Sequence, residues 1–294
     1  MNQNGFLGVV QFIHPGNEHK VSKDGWTKWN DGMHARKFMV ARSRLIDSSG
    51  TTDETECLFW GEWEGPSQSV YSWSPSADLP KNLVVPRFPG TPRYVAGLQN
   101  TDPYVFGDCF KYTLCKQVNK NGRESGLTRL LPGTLVLFGS KVHNRFVLDT
   151  ALVVSERTVS HSRHTWRNEL QNLSSTYVSV TLEQMYNDPN THDEAQYKLY
   201  LGATDLFPYN DTFSFFPAMP ASAEPLQFAR PNIQLEGIIN QKLMMGQKFS
   251  AMNHTAIRSC WQTVVQQVHD AGLGLGTFAE EPPLSTVPDH VWPH

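Results

Sequence analysis

Histidines and carboxylates that could perform acid–base chemistry follow the first apolar segment of the chain. The run His14-Pro-Gly-Asn-Glu18-His19 is a strong turn signal, and Asp31 and His34 lie further along. Imidazole and carboxylate groups at a strand end can act as acid–base pairs or as metal ligands. Their spacing matches no zinc motif. Catalysis and a simple polar turn are therefore both open interpretations of this segment.

Two further carboxylates have unusual surroundings. Asp149 interrupts the apolar run Phe-Val-Leu-Asp-Thr-Ala-Leu-Val-Val, where a buried acid costs free energy unless it has a partner or faces a pocket. Asp102 belongs to the polar stretch 98–104 before a predicted strand, and loops of this kind commonly carry ligand contacts. The predicted catalytic candidates are Asp149, Glu18, His14 and Asp102.

Aromatic and acidic side chains alternate in the segment Trp60-Gly-Glu62-Trp63-Glu64. Such a pattern suits a pocket that stacks a flat ring and hydrogen-bonds its edge, as in the recognition of flipped or single-stranded bases. The alternative is plain strand alternation, with Trp60 in the core and both acids in water. The predicted base-binding residues are Trp60, Glu62, Trp63, Asn100, Tyr104 and Tyr112.

Charge is segregated along the 294 residues. The formal net charge of −3 combines local values of +3 over residues 1–50, −6 over 51–80, +7 over 81–170 and −7 over 171–294. A basic middle block can attract phosphates, although it could equally pair with the acidic C-terminal third inside the fold. The predicted phosphate-binding residues are Lys111, Lys116, Arg123, Lys141 and Arg145.

Composition excludes several classes of protein. Charged residues make up 18% and aromatic residues 11% of the chain, which excludes a mostly disordered protein. No apolar run is long enough for a membrane-spanning helix, and the N-terminus lacks the pattern of a secretory signal. We therefore expect a cytoplasmic protein without a membrane partner. Phosphate-binding loops, dinucleotide-binding fingerprints, serine-hydrolase elbows and kinase signatures are absent.

The four cysteines form no close zinc spacing and are expected to be reduced thiols. Cys109 and Cys115, six residues apart, could share a metal with a histidine, but small buried hydrophobic residues are the favoured interpretation. We predict no metal and no cofactor.

Alternating apolar patterns predict strands at 5–13, 37–46, 57–63, 109–118, 134–138 and 145–154, the last two forming a hairpin. Residues 70–73 are expected to pair with the 57–63 strand, and 47–56 and the proline-rich 74–93 to be irregular. Helical spacing appears at 181–186, 233–245 and 256–269. The sequence thus predicts an α+β fold with a β-rich core and helices mainly in the C-terminal third. We predict a β-rich core over residues 1–160 and a mixed segment over 161–294 that packs on it and ends in a helix at about 256–271. A single domain could contain both segments.

One segment resembles a known family. The runs Phe110-Lys-Tyr-Thr-Leu-Cys-Lys-Gln117, Leu131-Pro-Gly-Thr-Leu-Val-Leu-Phe-Gly-Ser140 and Phe146-Val-Leu-Asp149 are similar to the strand-turn-strand pattern of PUA-like β-barrels, which include EVE and ASCH domains. Cys115-Lys116 before a glycine-led strand is also similar to nucleotide-modification-associated domains. The resemblance covers about residues 105–155. It implies a partly closed barrel with a pocket for a modified or flipped base, in which Trp60, Trp63 or Tyr112 would stack and Asp149 or Asn100 would read the edge.

Three functions follow from these patterns. The leading hypothesis is a nucleic-acid-associated protein, with DNA favoured over RNA, that recognises a base beside a basic surface. The second is a hydrolase of the DNA glycosylase or nucleoside hydrolase type, in which carboxylates provide acid–base catalysis and His14 or His34 assists. The third is a protein-interaction subunit whose aromatic loops bury a partner. The aromatic loop Phe207–Pro217 could line a ligand pocket or could be held on the core by its rings. The oligomeric state does not follow from the sequence.

Overall fold

The computed structural model describes residues 5–90, 97–189 and 191–292. In these ranges, six strands form one mixed sheet: β1 (Gly8–His14), β7 (Lys111–Tyr112), β8 (Leu135–Val142), β9 (Arg145–His161), β10 (Tyr197–Gly202) and β12 (Gly246–Ala251), in the order β12-β1-β8-β9-β10-β7.

Seven strands form the second mixed sheet. They are β2 (Trp26–Thr27), β3 (Lys37–Ile46), β4 (Thr52–Gly61), β5 (Ser67–Ser72), β6 (Asn82–Pro86), β11 (Phe216–Pro220) and β13 (Gly274–Ala279). Their order is β13-β11-β4-β3-β6-β5-β2, and β13 also pairs with β3. Both sheets therefore contain strands from each side of residue 160.

Strand register places the chemically interesting positions near one another. The strands β1 and β8 are parallel, with His14 opposite Ser140. The antiparallel pair β3 and β4 sets Lys37 opposite Gly61, so that the residues just beyond, Arg36 and Glu62, are neighbours. His14, Arg36 and Glu62 lie at or just beyond strand ends, where side chains can leave the sheet and meet those of the other sheet.

The α-helices are α1 (Trp166–Glu169), α2 (Ser175–Tyr177), α3 (Glu183–Tyr186) and α4 (His254–Asp270). A π-helical turn, Val178–Leu182, connects α2 to α3, and 3₁₀ turns occupy Gly126–Arg129 and Asp289–Val291. Asn253 caps α4 by accepting a hydrogen bond from the Ala256 N–H, and the chain leaves the helix at Gly272 with φ of 76°. Helix α4 packs its apolar face on the core through Ile257, Trp261, Val264 and Val268. Within the described ranges, none of the helices has the length and apolarity to span a membrane.

The predicted α+β class with a β-rich core is confirmed, and the α-helices follow residue 165. The predicted strands 5–13 and 37–46, the hairpin of 134–138 with 145–154, and the helix 256–269 correspond to β1, β3, β8–β9 and α4. The partly closed PUA-like barrel stays a prediction.

Several local predictions were wrong. The segment expected to pair with β4 is β5, which pairs with β2 and β6 instead. Strand β4 starts at Thr52, inside the expected loop, and β6 lies within the proline-rich stretch, whose residues 91–93 are outside the described ranges. Of the predicted strand 109–118, only Lys111–Tyr112 is regular. The predicted helix 233–245 is absent, because the chain turns at Gly237 with φ of 70°.

Candidate active site

A buried cluster of charged residues lies where the two sheets meet. Its members come from the end of β1, the residues before β3, the segment after β4, the interior of β9 and a later loop. We define the charged cluster as His14, His34, Arg36, Glu62, Glu64, Asp149 and Arg230.

Glu62 is the centre of the charged cluster. Its Oε2 accepts a 2.6 Å hydrogen bond from Arg36 Nη1, and its Oε1 accepts one of 3.1 Å from the Asp102 N–H. His14 Nδ1 lies 3.1 Å from Oε2, and His34 Nδ1 lies 3.2 Å from Oε1. Burial opposes ionisation, but the positive charges of His34 and Arg36, together with His14, hold the pKa of Glu62 well below its usual range. Glu62 is therefore ionised at neutral pH.

Asp149 is fully paired rather than free. Its Oδ2 accepts hydrogen bonds from Arg36 Nε at 2.9 Å and from the Ser140 hydroxyl at 3.1 Å, and its Oδ1 lies 3.4 Å from Arg230 Nη1. The same arginine donates to the Gly16 carbonyl at 2.8 Å. Asp149 thus has the partner that its place in an apolar strand required, and it ties β9 to the residue before β3.

A cysteine completes a catalytic geometry beside the cluster. His14 Nε2 lies 3.2 Å from Cys115 Sγ, while its Nδ1 faces Glu62. The Nδ1 approach to the carboxylate is close but not aligned as a hydrogen bond, and such contacts are often loose without substrate. Nucleophile, base and orienting carboxylate stand in the order that thiol enzymes use.

The turn that carries Cys115 is held by Asp102. The carboxylate of Asp102 accepts hydrogen bonds from three consecutive backbone N–H groups, those of Thr113, Leu114 and Cys115, at 2.6 to 3.0 Å. The next residue, Lys116, has φ of 61°, a conformation that non-glycine residues rarely adopt. Burial raises the pKa of Asp102 to about 7 despite these hydrogen bonds. Asp102 is thus a clamp on the nucleophile turn.

The resting protonation states are those of a neutral pair. Burial raises the pKa of the Cys115 thiol well above its ordinary value, and the charges of Asp102 and Glu62 add to this. Burial also lowers the pKa of His14, although Glu62 opposes that effect. A neutral thiol therefore faces a neutral imidazole, which can accept its proton.

The pair opens onto a cleft of about 990 Å³, which His14, His34, Asn100, Cys115 and Lys116 help to line. Cys115 is half-buried there. Cys109 is buried and lines other cavities, so the two cysteines do not face one space.

One set of atoms in the cluster could bracket a cation. His34 Nδ1 and one oxygen each of Glu62 and Glu64 lie within 4.8 Å of one another. Both carboxylates already accept hydrogen bonds, from Arg36 and from Asn30 Nδ2 at 2.6 and 2.7 Å. His34 itself donates to Glu64 at 2.7 Å. These contacts account for the group as an ion-pair network.

The structure brings four predicted residues, His14, Glu62, Asp102 and Asp149, into and around the charged cluster. Glu18 has a different role, since its carboxylate accepts the backbone N–H groups of Lys81 and Asn82 and holds the chain at the start of β6.

The aromatic residues predicted to stack a base are instead packed in the core. The buried rings are those of Trp60, Trp63, Tyr104 and Tyr112. The Arg230 guanidinium covers the Trp60 ring at 4.8 Å, and the Tyr112 hydroxyl donates to the Cys115 carbonyl at 2.8 Å. None of these four rings presents a face to a base in this structure. Asn100, by contrast, lines the cleft.

The predicted phosphate contacts do not gather at one place. Lys111 is buried and binds Asp108, Arg145 pairs with Asp78, and Lys141 contacts the Lys242 carbonyl. Arg123 is exposed. Only Lys116, of the five, borders the cleft.

Sequence reasoning did not include Cys115, Arg36, Glu64 or Arg230 among the site residues. The available signal was general: a cysteine with histidines and acids elsewhere in the chain is a candidate nucleophile. Nothing local distinguishes Cys115 from the other three cysteines. Comparison of the chain with protein-family models, with curated proteins and with solved structures finds no match.

Proposed function

We propose that the protein is an enzyme that uses Cys115 as a nucleophile to cleave or transfer an acyl group. One observation carries this proposal: the His14 ring lies between Cys115 Sγ at 3.2 Å and Glu62 Oε2 at 3.1 Å, at the wall of a large cleft. Nucleophile, base and orienting group within hydrogen-bond reach are the signature of covalent catalysis.

The proposed reaction accounts for each proton. As Cys115 Sγ attacks a carbonyl carbon, its proton passes to His14 Nε2, and Glu62 stabilises the imidazolium that results. The leaving group takes this proton as the tetrahedral intermediate collapses to a thioester on Cys115. His14 then removes a proton from water as the water attacks the thioester, and it returns this proton to Cys115 Sγ when the C–S bond breaks and the acid leaves.

Acylation by 4-nitrophenyl acetate, followed through nitrophenolate release and intact mass, tests the assignment. Cys115→Ala should abolish the stoichiometric acylation, because the nucleophile is gone. His14→Gln should slow it by ~10²-fold or more, the usual contribution of a general base. Cys109→Ala is the matched control, since this thiol lies outside the cleft. Unchanged acylation of a folded Cys115→Ala variant would disprove the proposal.

A second candidate function retains the nucleic-acid partner predicted from the charge pattern. Lys116 and Lys120 border the cleft beside Cys115, and cations at that place suit a substrate that carries phosphate. Base recognition would then use the cleft and Asn100 instead of the buried tryptophans. The glycosidic-bond alternative has less support, because Asp149 is bound to two arginines and Asp102 to three backbone N–H groups.

A further inference from the structure

The two ring nitrogens of His34 have different surroundings. Its Nδ1 lies 2.7 Å from Glu64 Oε1 and 3.2 Å from Glu62 Oε1. Its side chain is 19% exposed and lines the same cleft as Cys115. Within the described part of the chain, its Nε2 has no hydrogen-bond partner. The ring therefore has a spare N–H at the cleft and two carboxylates behind it.

The ring of His34 also lies alongside the catalytic base. The rings of His14 and His34 are stacked, with centroids 5.8 Å apart and planes 8° from parallel. Since His14 contacts Cys115, His34 is a neighbour of the place where a carbonyl group would be attacked. The negative charges and hydrogen bonds of Glu62 and Glu64 outweigh burial and raise the pKa of His34 to about 10, so the ring is a cation at neutral pH.

The nucleophile turn itself has few donors to offer an oxyanion. The N–H groups of Thr113, Leu114 and Cys115 are all bound to Asp102. The N–H of Gln117 donates to the Leu114 carbonyl at 3.2 Å. Of these consecutive backbone donors, only that of Lys116 has no such acceptor among the described residues. A transition state with negative charge on oxygen needs at least one further donor.

We propose that His34 stabilises the oxyanion of the tetrahedral intermediate by donating its Nε2–H across the cleft, with Glu62 and Glu64 as the groups that position it. This inference rests on the proposed acyl-transfer function. Charge complementarity supports it, because a buried carboxylate pair holds a cationic donor where negative charge develops. The substrate class is thereby narrowed to carbonyl compounds whose reaction passes through an oxyanion: esters, thioesters or amides.

Two probes separate this role from a structural one. Acylation by 4-nitrophenyl acetate passes through an oxyanion, whereas alkylation of the same thiol by iodoacetamide does not. His34→Asn retains a donor near the Nδ1 position for Glu64 but removes the donor at the cleft. We expect its acylation rate to fall by ~10²-fold, the usual loss for one oxyanion donor, with alkylation of Cys115 changed less than about 2-fold by the same reasoning.

His34→Gln provides the second variant, since its longer amide can reach the Nε2 position as a neutral donor. It should retain more acylation than His34→Asn. Equal losses of acylation and alkylation, or no loss of acylation, would overturn the proposal. So would a bound divalent metal that wild-type protein holds and His34→Asn loses, because His34 would then be a ligand. Failure of the nucleophile assignment is seen separately, as acylation that survives Cys115→Ala.

Discussion

The protonation states of single residues decide how this site can act. Cys115 and His14 are both neutral at rest, whereas Glu62 is ionised. In the proposed reaction, Cys115 therefore gives up its proton as it attacks, and His14 becomes a cation beside Glu62 at that moment. This would be general-base catalysis by a neutral imidazole.

Asp102 gives a prediction about pH and stability. Its pKa is about 7 in the folded protein and near 3.8 as a free side chain, because of burial. The folded state thus holds this proton more tightly than the unfolded chain, so its ionisation removes stability as pH rises between about 4 and 7. In urea titrations, Asp102→Asn should lose this dependence, which is about 1 kcal/mol per pH unit.

The control for this experiment is Asp53→Asn, which changes an exposed carboxyl on β4. Its unfolding free energy should follow that of the wild type at every pH. A constant difference between wild type and Asp102→Asn from pH 4 to 8 would contradict the assigned pKa of Asp102.

At the scale of elements, the charged cluster links the two sheets through buried ion pairs. Asp149 on β9 in the six-stranded sheet binds Arg36, which precedes β3 in the seven-stranded sheet. The same carboxylate holds Arg230 from the later loop. Because the ions are buried, removing one partner leaves uncompensated charge in the interior, which is far more costly than losing a surface ion pair.

Asp149→Asn should therefore destabilise the fold by roughly 3–5 kcal/mol, since Arg230 loses its counter-ion and Arg36 keeps only Glu62. Chemical denaturation monitored by tryptophan fluorescence measures this change. The matched control is Glu54→Gln, which breaks the exposed pairs with Arg42 and Arg44 on neighbouring strands and should cost under about 1 kcal/mol. If Asp149→Asn lowered the unfolding free energy as little as the control does, the ion pairs between the sheets would not be needed for stability.

Elements with a clear local pattern could be predicted from the sequence. Strand alternation and helical spacing act over a few residues, and they correctly predicted β1, β3, the β8–β9 hairpin and α4. Residues 233–245 also have helical spacing, yet the chain there first runs beside β9, where the Ile233 N–H donates to the Phe146 carbonyl, and then turns at Gly237. Contacts with a distant strand outweighed local propensity there. The predicted pairing of β5 with β4 was wrong for the same reason, because tertiary contacts pair β5 with β2 and β6 instead.

At the scale of the whole molecule, the basic residues of the middle block that the structure describes are spread over several places. Among the middle-block residues, Lys111, Lys116 and Arg145 border three different cavities. Two of them are bound to acids, Asp108 and Asp78, of which the second belongs to the acidic block 51–80. Part of the segregated charge is thus neutralised by ion pairs within the chain. Lys116 and Lys120 are the middle-block cations that line the cleft among the described residues.

The nucleic-acid proposal predicts weak, salt-dependent binding through these two lysines. Fluorescence anisotropy with single-stranded DNA at increasing salt should show a negative slope of log K against log salt. Replacing Lys116 and Lys120 by Ala should make this slope shallower by about one for each lysine that binds a phosphate. The double variant Lys20→Ala and Lys23→Ala removes equal charge from exposed positions outside the middle block and should bind as the wild type does. Absence of binding at low salt would exclude this function and leave the thiol chemistry untouched.

The sequence by itself determined the β-rich architecture and the need of Asp149 for a partner. These properties follow from backbone periodicity and from the cost of burying charge. Only the tertiary structure decided that His14 meets Cys115, which is 101 residues away, and that the same ring also meets Glu62. Such contacts depend on which strands pair and on the packing of one sheet against the other, and no local pattern of side chains specifies either of these.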